Sequence, residues 1–148
     1  MRELISADQI AHRVQEMGAE ISRKYEGRVP IFVGILNGSF IFMADLLREV
    51  SIECEVDFIK MSSYEGKTSS GTLHLRKDIS SDVTGRDVII VEDIVDSGLT
   101  INFLKSRIEG AGPSSVAVVS LLFKREVAEL NFDLDYVGFE IPADYVVG

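Results

Sequence analysis

The sequence predicts an α/β domain built on a mostly parallel, open twisted sheet with helices on both faces. Short apolar runs at residues 31–35, 88–91 and 116–123 alternate with stretches of helical periodicity, which is the pattern of successive βα units. The runs at 88–91 and 116–123 are almost free of polar residues. A strand tolerates that when both of its faces are covered, as crossover helices cover a parallel sheet. The length, 148 residues, suits one ordinary domain that buries roughly two thirds of its unfolded surface.

Each element follows from its own pattern. Ser6, followed three residues later by Gln9, reads as a capping box, and Ile10, Val14, Met17 and Ile21 then recur at helical spacing until the pattern breaks at 24–28. Residues 31–35 form a strand with a glycine inside it, closed by the turn Leu36, Asn37, Gly38 and Ser39. Phe40, Met43, Ala44, Leu47 and Val50 mark a second helix, and the imperfect alternation over 53–60 predicts a strand that leaves the core near Met61. From 62 to 85 the composition turns to Ser, Gly, Thr, Lys and Asp, relieved by Leu73 and Leu75. So long a polar stretch inside one domain marks a functional lid or an ordered excursion more often than a simple connection. Ile101, Leu104 and Ile108 make a third helix that stops at Gly110 or Gly112, and short runs at 115–123 and 136–141 complete the sheet.

Composition narrows the function. The chain is 46% hydrophobic and carries 15 Lys and Arg against 24 Asp and Glu, a formal charge of −9. That field disfavours a nucleic-acid polymer as partner and requires any small anion to be held by backbone amides, a metal ion or a few well-placed cations. Cys54 has no second cysteine to pair with, and His12 and His74 show no metal-ligand spacing. The N-terminus resembles neither a signal peptide nor a membrane span, so the chain is expected to be a soluble cytoplasmic protein away from membranes. Gly66, Lys67 and Thr68 do not form a nucleotide P-loop, because the glycine required five residues earlier is replaced by Met61.

The most informative segment is 91–100, where Glu92, Asp93 and Asp96 stand between a buried strand and a helix, followed by Ser97, Gly98, Leu99 and Thr100. Asp96 or Ser97 could simply cap the helix. The functional alternative is that the amides of 97–100 cradle a phosphate while adjacent carboxylates accept two vicinal hydroxyls or face a divalent cation. A phosphorylated sugar satisfies both halves.

This segment closely resembles the phosphoribosyl pyrophosphate (PRPP) motif of type I phosphoribosyltransferases. Segments 34–39, 63–64, 121–125 and 136–142 make the whole chain similar to the hypoxanthine-guanine branch of that family. The resemblance implies the type I phosphoribosyltransferase fold with a small hood and a flexible active-site flap over 62–85. Relatives run on for some tens of residues past the position of Gly148, so 1–148 reads as a single domain lacking the C-terminal part of the hood. The implied reaction transfers 5-phosphoribosyl from PRPP to N9 of hypoxanthine or guanine, giving IMP or GMP and pyrophosphate in purine salvage with Mg2+. A homodimer or homotetramer is implied by the same analogy. A xanthine-preferring or pyrimidine-directed relative, or a non-enzymatic nucleotide-binding regulator on the same fold, are the alternatives.

Residue by residue, the resemblance gives Glu92 and Asp93 to the ribose hydroxyls and the metal, and Ser97, Gly98, Leu99 and Thr100 to the 5′-phosphate. Asp96 is the catalytic residue, acting near N7 of the purine as proton acceptor or charge stabiliser. A carboxylate with the ordinary pKa of ~3.9 is a weak base, so this role requires desolvation or transition-state geometry. Lys124 donates to the purine O6, where the bland alternative is a solvated strand-end lysine. Tyr136 stacks on the base with the Val137 backbone at its Watson–Crick edge, the alternative for Tyr136 being packing near an edge strand. Arg125 is either solvated or on the pyrophosphate side. Leu36, Asn37, Gly38 and Ser39 correspond to the pyrophosphate loop, with a cis peptide between the first two, although the bare residues read only as a strand-to-helix turn with a serine cap. Ser63 and Tyr64 belong to the flap. Relatives carry an acid directly after the proline of Glu-Ile-Pro. Here Ala143 follows Pro142, so a further metal ligand falls on Asp144, or the metal is held by pyrophosphate oxygens and water.

Overall fold

A computed structural model describes residues 2–64, 72–144 and 146. Six strands form one sheet: β1 (Ile31–Leu36), β2 (Glu55–Tyr64), β3 (Thr72–Lys77), β4 (Asp87–Val95), β5 (Ser115–Phe123) and β6 (Tyr136–Glu140), in the order β3-β2-β1-β4-β5-β6. All neighbours run parallel except β2 and β3. Helices α1 (Ala7–Lys24) and α2 (Phe40–Arg48) pack on one face and α3 (Leu99–Glu109) on the other.

The two-sided cover explains the unbroken apolar runs. Ile89 and Val91 of β4 face the layer of Val14, Met17, Ile21 and Leu46, whereas Val88 and Ile90 face Ile101, Leu104 and Ile108. The capping box at the start of α1 is formed, with the Gln9 amide donating to Ser6 Oγ and the Ser6 amide to Gln9 Oε1. Among the described residues no helix is long and apolar enough to cross a membrane.

Three sequence expectations are sharpened. Strand β2 parts from β1 after Lys60 and so leaves the core near Met61, but it does not end there. It bulges between Lys60 and Met61 and runs on to Tyr64, paired with the antiparallel edge strand β3, in which Leu73 and Leu75 lie. The stretch 62–85 is therefore, in its described parts, more than a simple connection. Its start and middle are strands, residues 65–71 lie outside the described residues, and its end is strapped to the sheet. Asp57 Oδ2 accepts the amides of Ser80 and Ser81, Arg107 pairs with Asp78, and Val83 is buried. Strand β4, finally, continues through Glu92, Asp93 and Ile94 to Val95 because β5 keeps pairing with it as far as Phe123. The first two acids stand on a strand and not in a loop.

Candidate active site

The strand order itself locates a crevice. Strand β1 leads to β2 on one side and β4 to β5 on the other, so the chain reverses direction across the sheet between β1 and β4, where ligands of open α/β sheets bind beyond the carboxyl ends. Pairing between β1 and β4 ends at Gly34 and Val91, whereas β4 stays with β5 to Val95. Glu92 and Asp93 are thus the first β4 residues free of β1, and the turn 36–39 borders them.

Glu92 is buried at 8% exposure and accepts the Asp93 amide on Oε1 at 3.1 Å. Burial, reinforced by the neighbouring Asp93 carboxyl, pushes the Glu92 pKa well above the ordinary carboxylate range. Among the described residues no cation pairs with either carboxylate, and such a pair is suited to meet a cation or a diol. Asp93 lies against Gly38 across the crevice. The peptide bond between Leu36 and Asn37 is cis. The Ser39 and Phe40 amides are committed to the Ile35 and Asn37 carbonyls. Ser39 Oγ is fully buried and is, among the described residues, the one buried side-chain polar atom with no hydrogen-bond partner. It does not cap α2.

Beyond Val95 the chain turns through Asp96, Ser97 and Gly98 into α3. Gly98 adopts φ 92°, a left-handed conformation that glycine accepts at little cost, and it lies against the Glu129 carbonyl. Gly98 is the residue preceding the helix and no side chain caps it, so neither Asp96 nor Ser97 serves as the N-cap. Ser97 Oγ accepts the Leu99 amide at 3.3 Å, and the first helical bond back to this turn comes from Asn102 to the Gly98 carbonyl. The amides of Thr100 and Ile101 therefore have no intrahelical acceptor and face the helix N-terminus, where anions bind.

Asp96 turns toward β5. The Lys124 side chain, 6% exposed at the end of that strand, donates from Nζ to Asp96 Oδ2 at 3.1 Å. Lys124 is thus a buried cation directed at the rim, which excludes the solvated reading. Arg125 instead stacks on Phe123 and binds Glu140 Oε1 through Nε and Nη2.

Tyr136 and Val137 are not at the rim. Tyr136 opens β6 opposite Val119, four residues before the Phe123 level, which is ~13 Å of strand. Its ring is buried with Val14, Met17, Ile21 and Tyr25 beneath α1. The Val137 carbonyl is occupied by Arg13 Nη2 at 2.8 Å, and its side chain packs on the opposite face. Of the two readings of Tyr136, packing is the one the coordinates support. Asp144 is exposed, and among the described residues no three Asp, Glu, His or Cys side chains converge, so it does not join Glu92 and Asp93. Ser63 and Tyr64 end β2, but their side chains lie outside the described residues.

Sequence reasoning overlooked one residue that organises this rim, Asn102, and, away from it, one that holds the edge strand, Arg13. The Asn102 side chain donates to the Glu129 carbonyl at 2.7 Å and accepts the Asn131 amide, while the Glu129 amide donates to the Ser97 carbonyl. These bonds pin the segment after Lys124 to the turn at 96–98. Arg13 of α1 donates to the Val137 and Gly138 carbonyls and so fixes the edge strand β6. No local pattern signals either one. A broad cavity of about 1090 Å³ lies elsewhere, between α3 and the foot of β3, and shares Leu99 with the site.

A phosphoribosyl transferase domain model matches residues 3–148. The hypoxanthine-guanine phosphoribosyltransferase of Bacillus subtilis is 40% identical over 146 residues, covering 98% of this chain and 81% of that protein. The chain belongs to the hypoxanthine-guanine phosphoribosyltransferase family. It is also 43% identical to the bifunctional protein TilS/HprT of Listeria monocytogenes, but spans only 22% of that protein's length. The crystal structure of a hypoxanthine-guanine phosphoribosyltransferase from Bacillus anthracis, with HEPES in its active site, superposes with a TM-score of 0.92 at 40% identity, covering 98% of this chain and 86% of that one. The family's mostly parallel sheet, flanked by helices, is thus the fold found here.

Proposed function

We propose that this chain transfers the 5-phosphoribosyl group of PRPP to N9 of hypoxanthine or guanine, forming IMP or GMP and releasing pyrophosphate. The observation that carries the reading is the buried Lys124 ammonium, held 3.1 Å from Asp96 at the strand ends beside the Glu92 and Asp93 pair. An ammonium only donates hydrogen bonds. It pairs with a 6-oxo group, whereas a 6-amino group would leave it facing another donor. Selection for 6-oxopurines follows, because an unpaired buried charge is costly.

The remaining roles follow from position. The open amides at the start of α3, with the Ser97 and Thr100 hydroxyls, receive the 5′-phosphate. The Glu92 and Asp93 carboxylates accept the ribose hydroxyls, and the turn 36–39 faces the leaving pyrophosphate. Asp96 spends one oxygen on Lys124, keeping the other for the proton or positive charge that develops on the purine ring. Burial and the adjacent Asp93 carboxyl raise the Glu92 pKa, and Glu92 and Asp93 are the residues that would hold Mg2+. When bound, Mg2+ neutralises charge on the departing pyrophosphate. Asp144 has no part in this version. The β2–β3 hairpin, with Ser63 and Tyr64, closes over the crevice and excludes water from C1. The same reading puts the chain in the cytoplasm as a homodimer or homotetramer.

The test is incubation with PRPP, Mg2+ and radiolabelled hypoxanthine, with chromatographic detection of IMP. Parallel reactions with guanine, xanthine, adenine and uracil establish the base preference. Conversion of hypoxanthine or guanine but not adenine supports the reading, and no product with any 6-oxopurine sinks it.

A further inference from the structure

The turn after β1 and the acids of β4 meet through a contact that is steric. A Cβ built on Gly38 would lie 2.6 Å from Asp93 Oδ2, 2.9 Å from its Cγ and 3.0 Å from Oδ1, and these are the three nearest atoms. The carboxylate occupies the space that a side chain at position 38 would fill. The backbone does not require glycine there, because Gly38 is not among the residues with positive φ. Gly98 differs, since its φ of 92° and the Glu129 carbonyl 2.8 Å from an added Cβ would both oppose a side chain. At Gly38 the three nearest obstacles are all atoms of one acid's side chain.

We propose that Gly38 is a positioning residue, the seat that aims the Asp93 carboxylate at the ribose and ties the pyrophosphate turn to the acid pair as one unit. This rests on the function proposed above. With β1 pairing ended at Val91, the turn is what borders β4 on this side. A methyl group at position 38 would push Asp93 Oδ2 back by nearly 1 Å to reach ordinary contact beyond 3.4 Å. The Asp93 side chain can make that move by rotating, so the fold survives while the carboxylate loses its aim. A displacement of that size from a reacting centre can cost up to ~100-fold in rate.

The experiment compares G38A, D93A and the double variant in the full chain, by steady-state kinetics and by the crystal structure of G38A. G38A is expected to lower kcat/KM for PRPP by about tenfold to a hundredfold, to leave KM for hypoxanthine within about twofold, and to melt near the wild-type temperature. In a D93A background, adding G38A should change kcat/KM by less than about twofold, since the group it displaces is gone. The crystal structure should show Asp93 rotated with the turn in place. Independent, multiplying effects would overturn the proposal, as would a neutral G38A or an unmoved Asp93 with a displaced turn. If G38A alone fails to fold, the double variant should recover the fold, and failure of both counts against the seat. A wild-type chain that makes no IMP defeats the proposed reaction, and the G38A crystal structure then still decides the steric claim by itself.

Discussion

Replacing Asp57 by asparagine tests how the foot of the β2–β3 hairpin is held. Asp57 is 7% exposed, and its carboxylate accepts three backbone amides at 2.8 Å: Phe58 on Oδ1, and Ser80 and Ser81 on Oδ2. Lys77 Nζ stands 3.6 Å from Oδ1 but is well exposed and adds little. Asparagine keeps the shape but has one acceptor oxygen. With that oxygen on the serine amides, its NH2 opposes the Phe58 amide, so one bond is lost and two become neutral. Bonds to a charged group contribute about 1.5–3 kcal/mol and neutral ones about 0.5–1.5, so the midpoints of the two ranges give an expected cost of about 5 kcal/mol. For a chain of this size that lowers Tm by roughly 10–20 °C. The deficit also depends on pH. Burial pushes the Asp57 pKa up, but the amides of Ser81, Phe58 and Ser80 outweigh it and hold the folded value below the ordinary one. A carboxylate lowered in this way stabilises the fold above its unfolded pKa of ~3.9, and that contribution disappears as pH falls through the folded value. Thermal melts of wild type and D57N by circular dichroism at pH 7, 5 and toward 3 should show a constant gap at the upper two values and a shrinking gap below them. A shift at pH 7 under about 2 °C, or a gap of equal size at the acid end, would refute the assigned role of those amides.

Other outcomes follow from the rim. Lys124→Met, which keeps bulk without charge, should raise KM for hypoxanthine by roughly tenfold to a hundredfold by removing a charge-assisted bond to O6, read from initial rates at saturating PRPP. Asp96→Asn should lower kcat by about 100-fold or more while moving KM for PRPP little, as expected for a group that acts on the reacting purine. Equal changes in both parameters would argue against that role. Tyr136→Ala should cost about 3–5 kcal/mol by opening a cavity under α1, yet leave KM for hypoxanthine of the folded protein unchanged at low temperature. A selective rise in that KM would return Tyr136 to the base site.

The chemistry was legible where it is local. Glu92, Asp93, Asp96 and the Ser97–Thr100 turn fall within nine consecutive residues, so their types and spacing could be read without knowing the fold. Lys124 was readable because it ends an apolar run, and in a parallel sheet every run ends on the ligand side. Tyr136 misled for the converse reason. Its segment looks like the others, but the residue opens β6 instead of closing it, and the pairing with Val119 that reveals this joins distant parts of the chain. The anchoring of 62–85 is hidden for a similar reason, since its polarity is evident in the sequence but the grip of Asp57 on Ser80 and Ser81 spans more than twenty residues.

By itself the sequence determined the kinds of element, their order and the residues able to do chemistry, because helical period, apolar runs and clustered acids are properties of neighbours along the chain. The tertiary structure alone decided where β1 parts from β4, which end of β6 faces the crevice, that Lys124 reaches Asp96, and that Asp93 rests where Gly38 has no side chain. Those are contacts through space between residues far apart in sequence, formed by register and close packing, and no local pattern encodes them.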